Sequence, residues 1–182
     1  MASQKILEKL KHSLRPIGDS DAGAAVVVLL REEAGDLQIL LVKRATNPED
    51  PWSGNMALPG GRRHAEDQDL LATITRETSE ETGIDLYRRC FLGTLDPAVS
   101  SRAATRLVVL PFVAILGETP EVRLNKELCA YFWFPLGRLS SLEGKAAVEV
   151  CEEPAFLVNG QVVWGLTYRM LKNLLELVER RD

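Results

Sequence analysis

The sequence has no long apolar run, no paired cysteines and no large excess of charge of one sign. None of its apolar stretches approaches the ~18 residues that a membrane-spanning helix needs. Polar residues are spread throughout positions 1–16, unlike the continuous apolar core of a signal peptide. We therefore expect a cytoplasmic protein with no membrane partner.

Cysteine and histidine are scarce, with three of the former and two of the latter. Cys90, Cys129 and Cys151 are widely spaced and form no C-x-x-C pair, which argues against a disulfide framework or a zinc site. A catalytic thiol would need a nearby histidine, and the chain has only His12 and His64. We interpret the cysteines as core or incidental residues.

The formal net charge of −4 is mild and gives no general electrostatic footprint for nucleic acid. We therefore expect small-molecule partners. The 182 residues contain no internal repeat, low-complexity tract or interdomain linker. Because a chain of this size buries roughly two thirds of its unfolded surface, we expect residues 1–182 to form one domain.

Apolar periodicity predicts an α/β fold. Near-continuous apolar runs are typical of strands that are covered on both faces, which predicts a sheet between helix layers. Pro111 interrupts one run, and because proline cannot donate to a neighbouring strand, we expect that strand at an edge or a bulge. Strand 22–30 is predicted to form a hairpin with strand 37–44, and a further hairpin is predicted at Asn159-Gly160. The other predicted strands are 91–95, 107–116 and 130–134, and loops are predicted at 45–55 and 96–106.

Two helices are predicted at the ends of the chain, at about 3–14 and about 165–181. The first carries a narrow apolar stripe of Ile6, Leu10 and Leu14. Packing is the default interpretation of this stripe, and a homodimer contact or a surface-lying helix are the alternatives. The last helix carries Leu171, Leu174, Leu175 and Val178 on one face.

Residues 58–84 combine a glycine-rich turn with an acidic helix. The Pro-Gly-Gly turn at 59–61 permits positive φ and lets the backbone come close to a ligand. Successive helical side chains advance by about 100°, so Glu77, Glu80 and Glu81 fall on one face, where they repel each other.

Arg76 precedes Glu80 by four residues and can offset one of these charges. At least two carboxylates remain, and oxygen ligands of this kind suit a hard divalent cation such as Mg²⁺. A solvated acidic face is the alternative. At the helix start Asp67 or Asp69 suits the N-cap, and we expect Asp67 to cap rather than share a metal, because it lies ~15 Å from Glu77 if both are helical.

The spacing of these residues resembles the Nudix box, the signature of hydrolases that act on nucleoside diphosphates linked to another group. Gly61 is followed after five residues by Asp67, and after eight more by the segment RETSEETGI at 76–84. The usual box has Glu at the position of Asp67, one residue fewer before the arginine, and an apolar residue at Thr78. The aspartate and the extra residue resemble the coenzyme A pyrophosphatase branch of the family.

Two further segments resemble that branch. The segment LLVKRA at 40–45, followed by Gly54 and by LPGG at 58–61, partly matches its upstream motif, with two substitutions, one extra residue and no second arginine. The segment WGLT at 164–167 is similar to the Trp-Gly-x-Thr that precedes the last helix in the branch.

The resemblance implies an α/β/α sandwich with a mixed sheet, a pyrophosphohydrolase activity and Mg²⁺ or Mn²⁺ as cofactor. The implied catalytic residues are Arg76, Glu77, Glu80 and Glu81, with Glu77 and Glu81 as metal ligands, Glu80 either a ligand or held by Arg76, and the backbone of Gly60 or Gly61 completing the coordination. The general base stays open between a box glutamate and the later residues Glu127, Glu149, Glu152 and Glu153.

Positive side chains near the box are expected to contact phosphates, because guanidinium groups fit phosphate oxygens well. The predicted contacts are Arg44, Arg62 and Arg63, with His64 beside them; ordinary surface charge is the alternative. Trp52 could stack on a base or serve as a packing anchor.

The leading functional prediction is a divalent-metal-dependent hydrolase that cleaves the diphosphate of coenzyme A or an acyl-CoA into 3′,5′-ADP and phosphopantetheine. The alternatives are the same chemistry on ADP-ribose, NADH or a nucleoside triphosphate, and a Nudix-like binding module without turnover. The repulsion among the three glutamates argues against the module, because without a cation nothing would offset it.

Overall fold

A computed structural model of the protein describes residues 2–18, 20–50, 52–100, 106–148 and 151–180. Within these ranges the chain forms three α-helices and eleven strands, with short 3₁₀ turns at Arg88–Cys90, Leu136–Arg138 and Ser140–Leu142. In chain order they are α1 Ala2–Ser13, β1 Ala24–Glu33, β2 Asp36–Arg44, β3 Met56–Ala57, β4 Gly60–Arg62, α2 Leu70–Thr82, β5 Phe91–Thr94, β6 Ala98–Ser100, β7 Leu107–Leu116, β8 Leu128–Pro135, β9 Glu143–Val148, β10 Cys151–Val158, β11 Gln161–Trp164 and α3 Gly165–Glu179.

The main sheet has eight strands and is mixed. Its central order is β3-β2-β1-β7-β5, with β4 paired to β1, β6 to β7 and β8 to β2. The β1–β7 pair is parallel, and the other pairs are antiparallel. Strands β9, β10 and β11 form a separate antiparallel sheet.

The hydrophobic core lies on both faces of the main sheet. Alternate residues of β1 point to opposite faces, so Val28 and Leu30 belong to one apolar cluster while Val27 and Leu29 belong to the other. Helices α1 and α3 cover the first face and α2 covers the second. The predicted α/β/α sandwich with a mixed sheet is confirmed.

Pro111 is not at a sheet edge, contrary to the sequence-based expectation. Strand β7 lies in the interior of the sheet, with β1 on one side and β5 and β6 on the other. The β6 ladder ends at Val109 and the β5 ladder begins at Phe112, so the proline lies between two ladders. Its carbonyl accepts a hydrogen bond from the N–H of Leu95 at 2.9 Å, and no donor is required of it there.

Most of the predicted elements are present, with shifted ends. The β1–β2 hairpin and the turn at Asn159-Gly160, where φ is 49° and 75°, are as expected. The segment 96–106 was expected to be a loop throughout, but it contains β6. Helix α3 ends at Glu179, and position 181 of its predicted range lies outside the described residues. In the described part of the chain no helix is long and apolar enough to cross a membrane.

Candidate active site

The acidic helix α2 begins after Asp69, whose side chain accepts a hydrogen bond from the N–H of Ala72 at 2.7 Å. Leu70 and Ile74 are buried in the core, which fixes the rotation of the helix and leaves its glutamates on a neighbouring face. Gly83 ends the helix in the left-handed conformation, with φ of 70°. The expected C-terminal stop is confirmed.

Asp67 does not cap the helix, so this part of the sequence-based expectation is wrong. The helix starts only at Leu70, and the chain before it folds back toward Arg76. Asp67 accepts hydrogen bonds from the Nε and Nη2 of Arg76 at 3.1 and 2.9 Å and from the N–H of His64 at 2.8 Å. The Arg76 guanidinium holds the pKa of Asp67 well below its usual range.

Arg76 is the centre of the charge network in this region. Its Nη1 donates to Glu77 at 2.9 Å and to Glu80 at 3.1 Å, while its other nitrogens bind Asp67. The bond with Asp67 raises the pKa of Arg76. The predicted Arg76–Glu80 pair is therefore confirmed, but the arginine offsets more charge than the sequence spacing indicated, because it also binds Glu77 and Asp67.

Glu77 and Glu81 form the buried part of the acidic face. Glu81 is 4% exposed, and burial raises its pKa to about 7, against the opposing effect of the Gly60 N–H, which donates to its Oε2 at 2.9 Å. Burial also raises the pKa of Glu77. Such shifts are typical of functional carboxylates in clefts.

The two glycines of the turn are required at their positions. Gly60 has φ of 143°, and a Cβ there would lie 2.2 Å from the carbonyl oxygen of Ala25. A Cβ on Gly61 would lie 2.5 Å from the carboxyl carbon of Glu77. Only glycine therefore lets β4 lie beside β1 and brings the backbone against the two carboxylates.

These groups open into a cavity of about 510 Å³, which lies in the range of small-molecule sites. One end is polar and the other is largely apolar. The residues lining the polar end are Arg44, Gly60, Gly61, Arg62, His64, Arg76, Glu77, Glu80, Glu81 and Glu127, and those lining the remainder include Trp52, Val26, Leu107, Val109, Trp164, Leu166, Thr167 and Met170.

The predicted substrate contacts are not all in this cavity. Arg44 and Arg62 line it. The Nε of Arg44 donates to Asp50 at 2.7 Å, which fixes the arginine at the cavity wall. Arg63 is not a lining residue, and its Nη2 instead donates to the carbonyl of Gln68 at 2.9 Å. Arg63 therefore supports the loop before α2.

The structure separates the candidates for the general base. Glu127 lines the cavity, and its charge contributes to the raised pKa of Glu81. Glu152 and Glu153 lie on β10 in the second sheet and do not line the cavity. Glu149 lies outside the described residues. Among the described candidates, Glu127 and the box glutamates are the ones in place.

Sequence analysis missed the residues that join the distant parts of the cavity wall. The Nε1 of Trp164 donates to Asn55 at 3.3 Å, which ties the loop before β3 to the start of α3 across 109 positions. Ser100 and Arg169 also line the cavity, and the guanidinium of Arg169 donates to the carbonyl of Val99. Trp164 belongs to the segment that resembles the branch, but no local pattern marks Asn55, Ser100 or Arg169, because their proximity depends on how β6 and α3 pack.

The carboxylates do not form a ready-made metal cage. In the part of the chain that the structure describes, no group of three or more His, Cys, Asp or Glu side chains is arranged to hold a metal ion. The expected cluster of three is reduced because Glu80 is largely exposed and paired with Arg76. Glu77 and Glu81 remain, and Mg²⁺ is commonly bound by one or two carboxylates together with water and substrate phosphates, so this donor set fits it.

The fold and the site define a Nudix protein. The sequence of residues 21–150 matches the family model of the NUDIX domain, so the chain belongs to the Nudix family. This match confirms the predicted family and supports the predicted class of pyrophosphohydrolase. Two solved structures share the fold: the NUDIX domain of Shewanella oneidensis NrtR complexed with ADP ribose, and a MutT protein from Methanosarcina mazei Go1. Both have a TM-score of 0.59 and cover 90% of this chain, at 19% and 18% identity, and the chain covers 90% and 99% of them.

Curated relatives refine this position within the family. The chain is 28% identical to the mitochondrial coenzyme A diphosphatase NUDT8 of Mus musculus, over 96% of this chain and 87% of the mouse protein. It is 39% identical to an uncharacterized protein of Schizosaccharomyces pombe over 62% of this chain, but spans only 36% of that protein's length. The similarity to NUDT8 supports the predicted coenzyme A pyrophosphatase-like branch.

Proposed function

We propose that the protein is a Mg²⁺- or Mn²⁺-dependent hydrolase of the diphosphate linkage in coenzyme A or an acyl-CoA, with 3′,5′-ADP and phosphopantetheine as products. The observation that carries this proposal is the pair of carboxylates, buried Glu81 and half-buried Glu77, which share one cavity with Arg44 and Arg62. We further propose that residues 1–182 act as one catalytic domain in the cytoplasm.

A diphosphate resists hydrolysis because its negative oxygens repel a nucleophile. A divalent cation held by Glu77 and Glu81 supplies charge neutralisation and makes water a better nucleophile. The protein's own contribution is to place these carboxylates: Gly60 holds Glu81 through its N–H, and Arg76 holds Glu77. Arg44 and Arg62 are proposed to bind the phosphate oxygens, where they stabilise the charge that develops in the transition state.

During hydrolysis a water oxygen forms a bond to phosphorus, the bond to the bridging oxygen breaks, and a base accepts the proton of the water. A base with a pKa near the working pH is the most effective. The pKa of Glu81 is raised to about 7, and Glu127 faces the same cavity. We propose one of these two as the acceptor, and Glu127→Gln distinguishes them: kcat should fall on the order of 10²-fold or more only if Glu127 is the base.

The substrate class is supported by NUDT8, a coenzyme A diphosphatase, and by the segment at 164–167, which lines the cavity. The test is a screen of coenzyme A, acetyl-CoA, ADP-ribose, NADH and nucleoside triphosphates with Mg²⁺ or Mn²⁺, with product masses measured. We expect the masses of 3′,5′-ADP and phosphopantetheine from coenzyme A. Products from ADP-ribose or NADH alone would contradict the proposed substrate, and a complete absence of new masses would favour a binding module.

A further inference from the structure

The apolar end of the cavity is built by three elements whose side chains share one face of the sheet. Ala24 and Val26 are two residues apart on β1, and Leu107 and Val109 are two apart on β7, so each pair points to a single face. Leu166 and Met170, four residues apart on α3, cover them from above. We call this space the apolar chamber; its walls are Ala24, Val26, Leu107, Val109, Leu166 and Met170.

The strand register links the chamber to the phosphate-binding end. Arg62 on β4 pairs with Ala24 on β1, Ala24 pairs with Val109 on β7, and Val109 pairs with Ala98 on β6. Residues that pair across neighbouring strands point to the same face, so these side chains form one row. Three strand spacings cover roughly 14 Å, at about 4.8 Å each. Ser100, two residues after Ala98 on the same face of β6, pairs with Leu107 and lines the cavity, so a ligand with a phosphate at Arg62 has a path of about this length along the cavity wall.

The walls of the chamber offer a sugar few hydrogen-bond partners. A buried hydroxyl without a hydrogen-bond partner is unfavourable, so a ribose or a base in the chamber would need several polar partners. The polar side chains that line the cavity beside these walls are those of Asn55, Ser100, Thr167 and Arg169, and the guanidinium of Arg169 already donates to the carbonyl of Val99. The walls of the chamber are otherwise apolar, and Val109 and Met170 are 4% and 3% exposed.

We infer that the apolar chamber binds the pantetheine arm of the substrate, extended from β4 toward β6, so that the nucleoside lies outside it. This inference rests on the proposed function. The arm is long, with a geminal dimethyl group and a single hydroxyl near its phosphate, and its methylenes suit the apolar walls. Its other polar groups are two amides and a terminal thiol, fewer than a ribose and a base carry together, and Ser100 and Thr167 line the same cavity. A single ribose ring would reach only part of this path.

The test uses the two products as probes of the two halves of the substrate. Leu166→Trp adds bulk to the chamber from α3, where the leucine is only half-buried. Leu157→Trp is the matched control, because Leu157 is 45% exposed on β10 and does not line the cavity. Binding of 4′-phosphopantetheine and of 3′,5′-ADP is measured by calorimetry with Mg²⁺ present, so catalysis is not needed for the readout.

We expect Leu166→Trp to weaken binding of 4′-phosphopantetheine about tenfold or more, the scale of a lost fit in a hydrophobic pocket. Binding of 3′,5′-ADP should change less than about twofold, and Leu157→Trp should alter neither. Leu107→Phe fills the chamber from the sheet side and should reproduce the selective loss if Leu166→Trp fails to fold. Equal weakening of both probes, or weakening of 3′,5′-ADP alone, would overturn the inference.

Hydrolysis of coenzyme A by the unmodified protein, followed by product masses, separates the two proposals. Normal hydrolysis together with unchanged 4′-phosphopantetheine binding in both filled variants would overturn the chamber assignment and leave the proposed function standing. No hydrolysis of any coenzyme A derivative would overturn the proposed function, and with it the assignment of this ligand to the chamber.

Discussion

Glu80 and Glu81 are adjacent in sequence but differ in their surroundings. The side chain of Glu80 is 57% exposed and pairs with Arg76, whereas Glu81 is 4% exposed and bonded to the Gly60 N–H. A buried carboxylate attracts a cation more strongly than an exposed one, because solvent screens the charge of the latter. We therefore expect Glu81 to contribute more to activity than Glu80.

Glu81→Gln should lower kcat by on the order of 10²-fold or more while substrate still binds, because the variant loses a carboxylate that would hold the cation, and the cation is the charge that stabilises the transition state. Glu80→Gln is the matched control and should cost less than about tenfold, since its charge is already screened. Steady-state kinetics on the preferred substrate with saturating Mg²⁺ measure both effects. Near-normal turnover of Glu81→Gln would rule out the metal assignment.

Gly61→Ala tests whether the turn holds Glu77 in place. The φ of Gly61 is not in the left-handed region, so alanine is tolerated by the backbone, but its Cβ would lie 2.5 Å from the carboxyl carbon of Glu77. The carboxylate must move, and we expect kcat/KM to fall roughly 10- to 10²-fold, as for a misplaced catalytic group. Circular dichroism should show an unchanged fold.

Gly137→Ala is the control for this substitution, because a Cβ at Gly137 meets nothing within 4 Å. Its activity should equal that of the unmodified protein. Full activity of Gly61→Ala would mean that the position of Glu77 does not depend on the turn.

At the scale of elements, the parts that local patterns determine were predictable. The β1–β2 hairpin, the end of α2 at Gly83 and the acidic face follow from turn residues and apolar periodicity. Contacts between residues that are distant in sequence were not predictable in this way. Asp67 was expected to be the cap, but the side chain of Asp69 already accepts the hydrogen bond from the N–H of Ala72, and Asp67 instead binds Arg76 nine residues away.

Helix α3 covers the cavity and is held at its outer face by a charge cluster. Glu143 at the start of β9 accepts hydrogen bonds from Tyr168 and Lys172, both at 2.6 Å. The bond from Lys172 lowers the pKa of Glu143, and the bonds to Glu143 raise the pKa values of Tyr168 and Lys172. The cluster thus joins α3 to the second sheet.

Glu143→Gln should lower the melting temperature at pH 7 by about 1–3 °C, the scale of an ion pair worth at most about 1 kcal/mol. Because the folded pKa of Glu143 is depressed, its stabilisation is complete above the unfolded value of about 4.3 and is lost as pH falls through the folded value. The difference should therefore vanish near pH 3 in thermal melts. A difference that persists there would show that the contribution is not ionic.

At the scale of the molecule, the cavity lies where two short ladders, with β2 and with β4, occupy the same edge of β1. Strand β4 pairs with residues 24–26 of β1, while β2 pairs with residues 30–33. The sheet divides between them, and the cavity is lined both by glutamates of α2 from one face and by residues of α3 from the other. Metal binding by Glu77 and Glu81 should therefore stabilise the whole fold and be visible in global unfolding.

Mg²⁺ at about 100 times its dissociation constant should raise the free energy of unfolding by about 2.7 kcal/mol, which is a rise of about 5–10 °C in melting temperature. Burial raises the pKa of Glu81 to about 7, so protons compete with the cation below that pH, and the rise should be larger at pH 8 than at pH 6. The metal-free protein should show the opposite pH dependence of its stability. Its folded state holds an extra proton on Glu81 between about pH 4.3 and 7, so the free energy of unfolding falls as pH rises through this window. Glu81→Gln should abolish both the Mg²⁺-induced rise in melting temperature and the pH dependence of the metal-free protein, and Glu80→Gln should retain them. A full Mg²⁺-induced rise in Glu81→Gln would place the cation elsewhere.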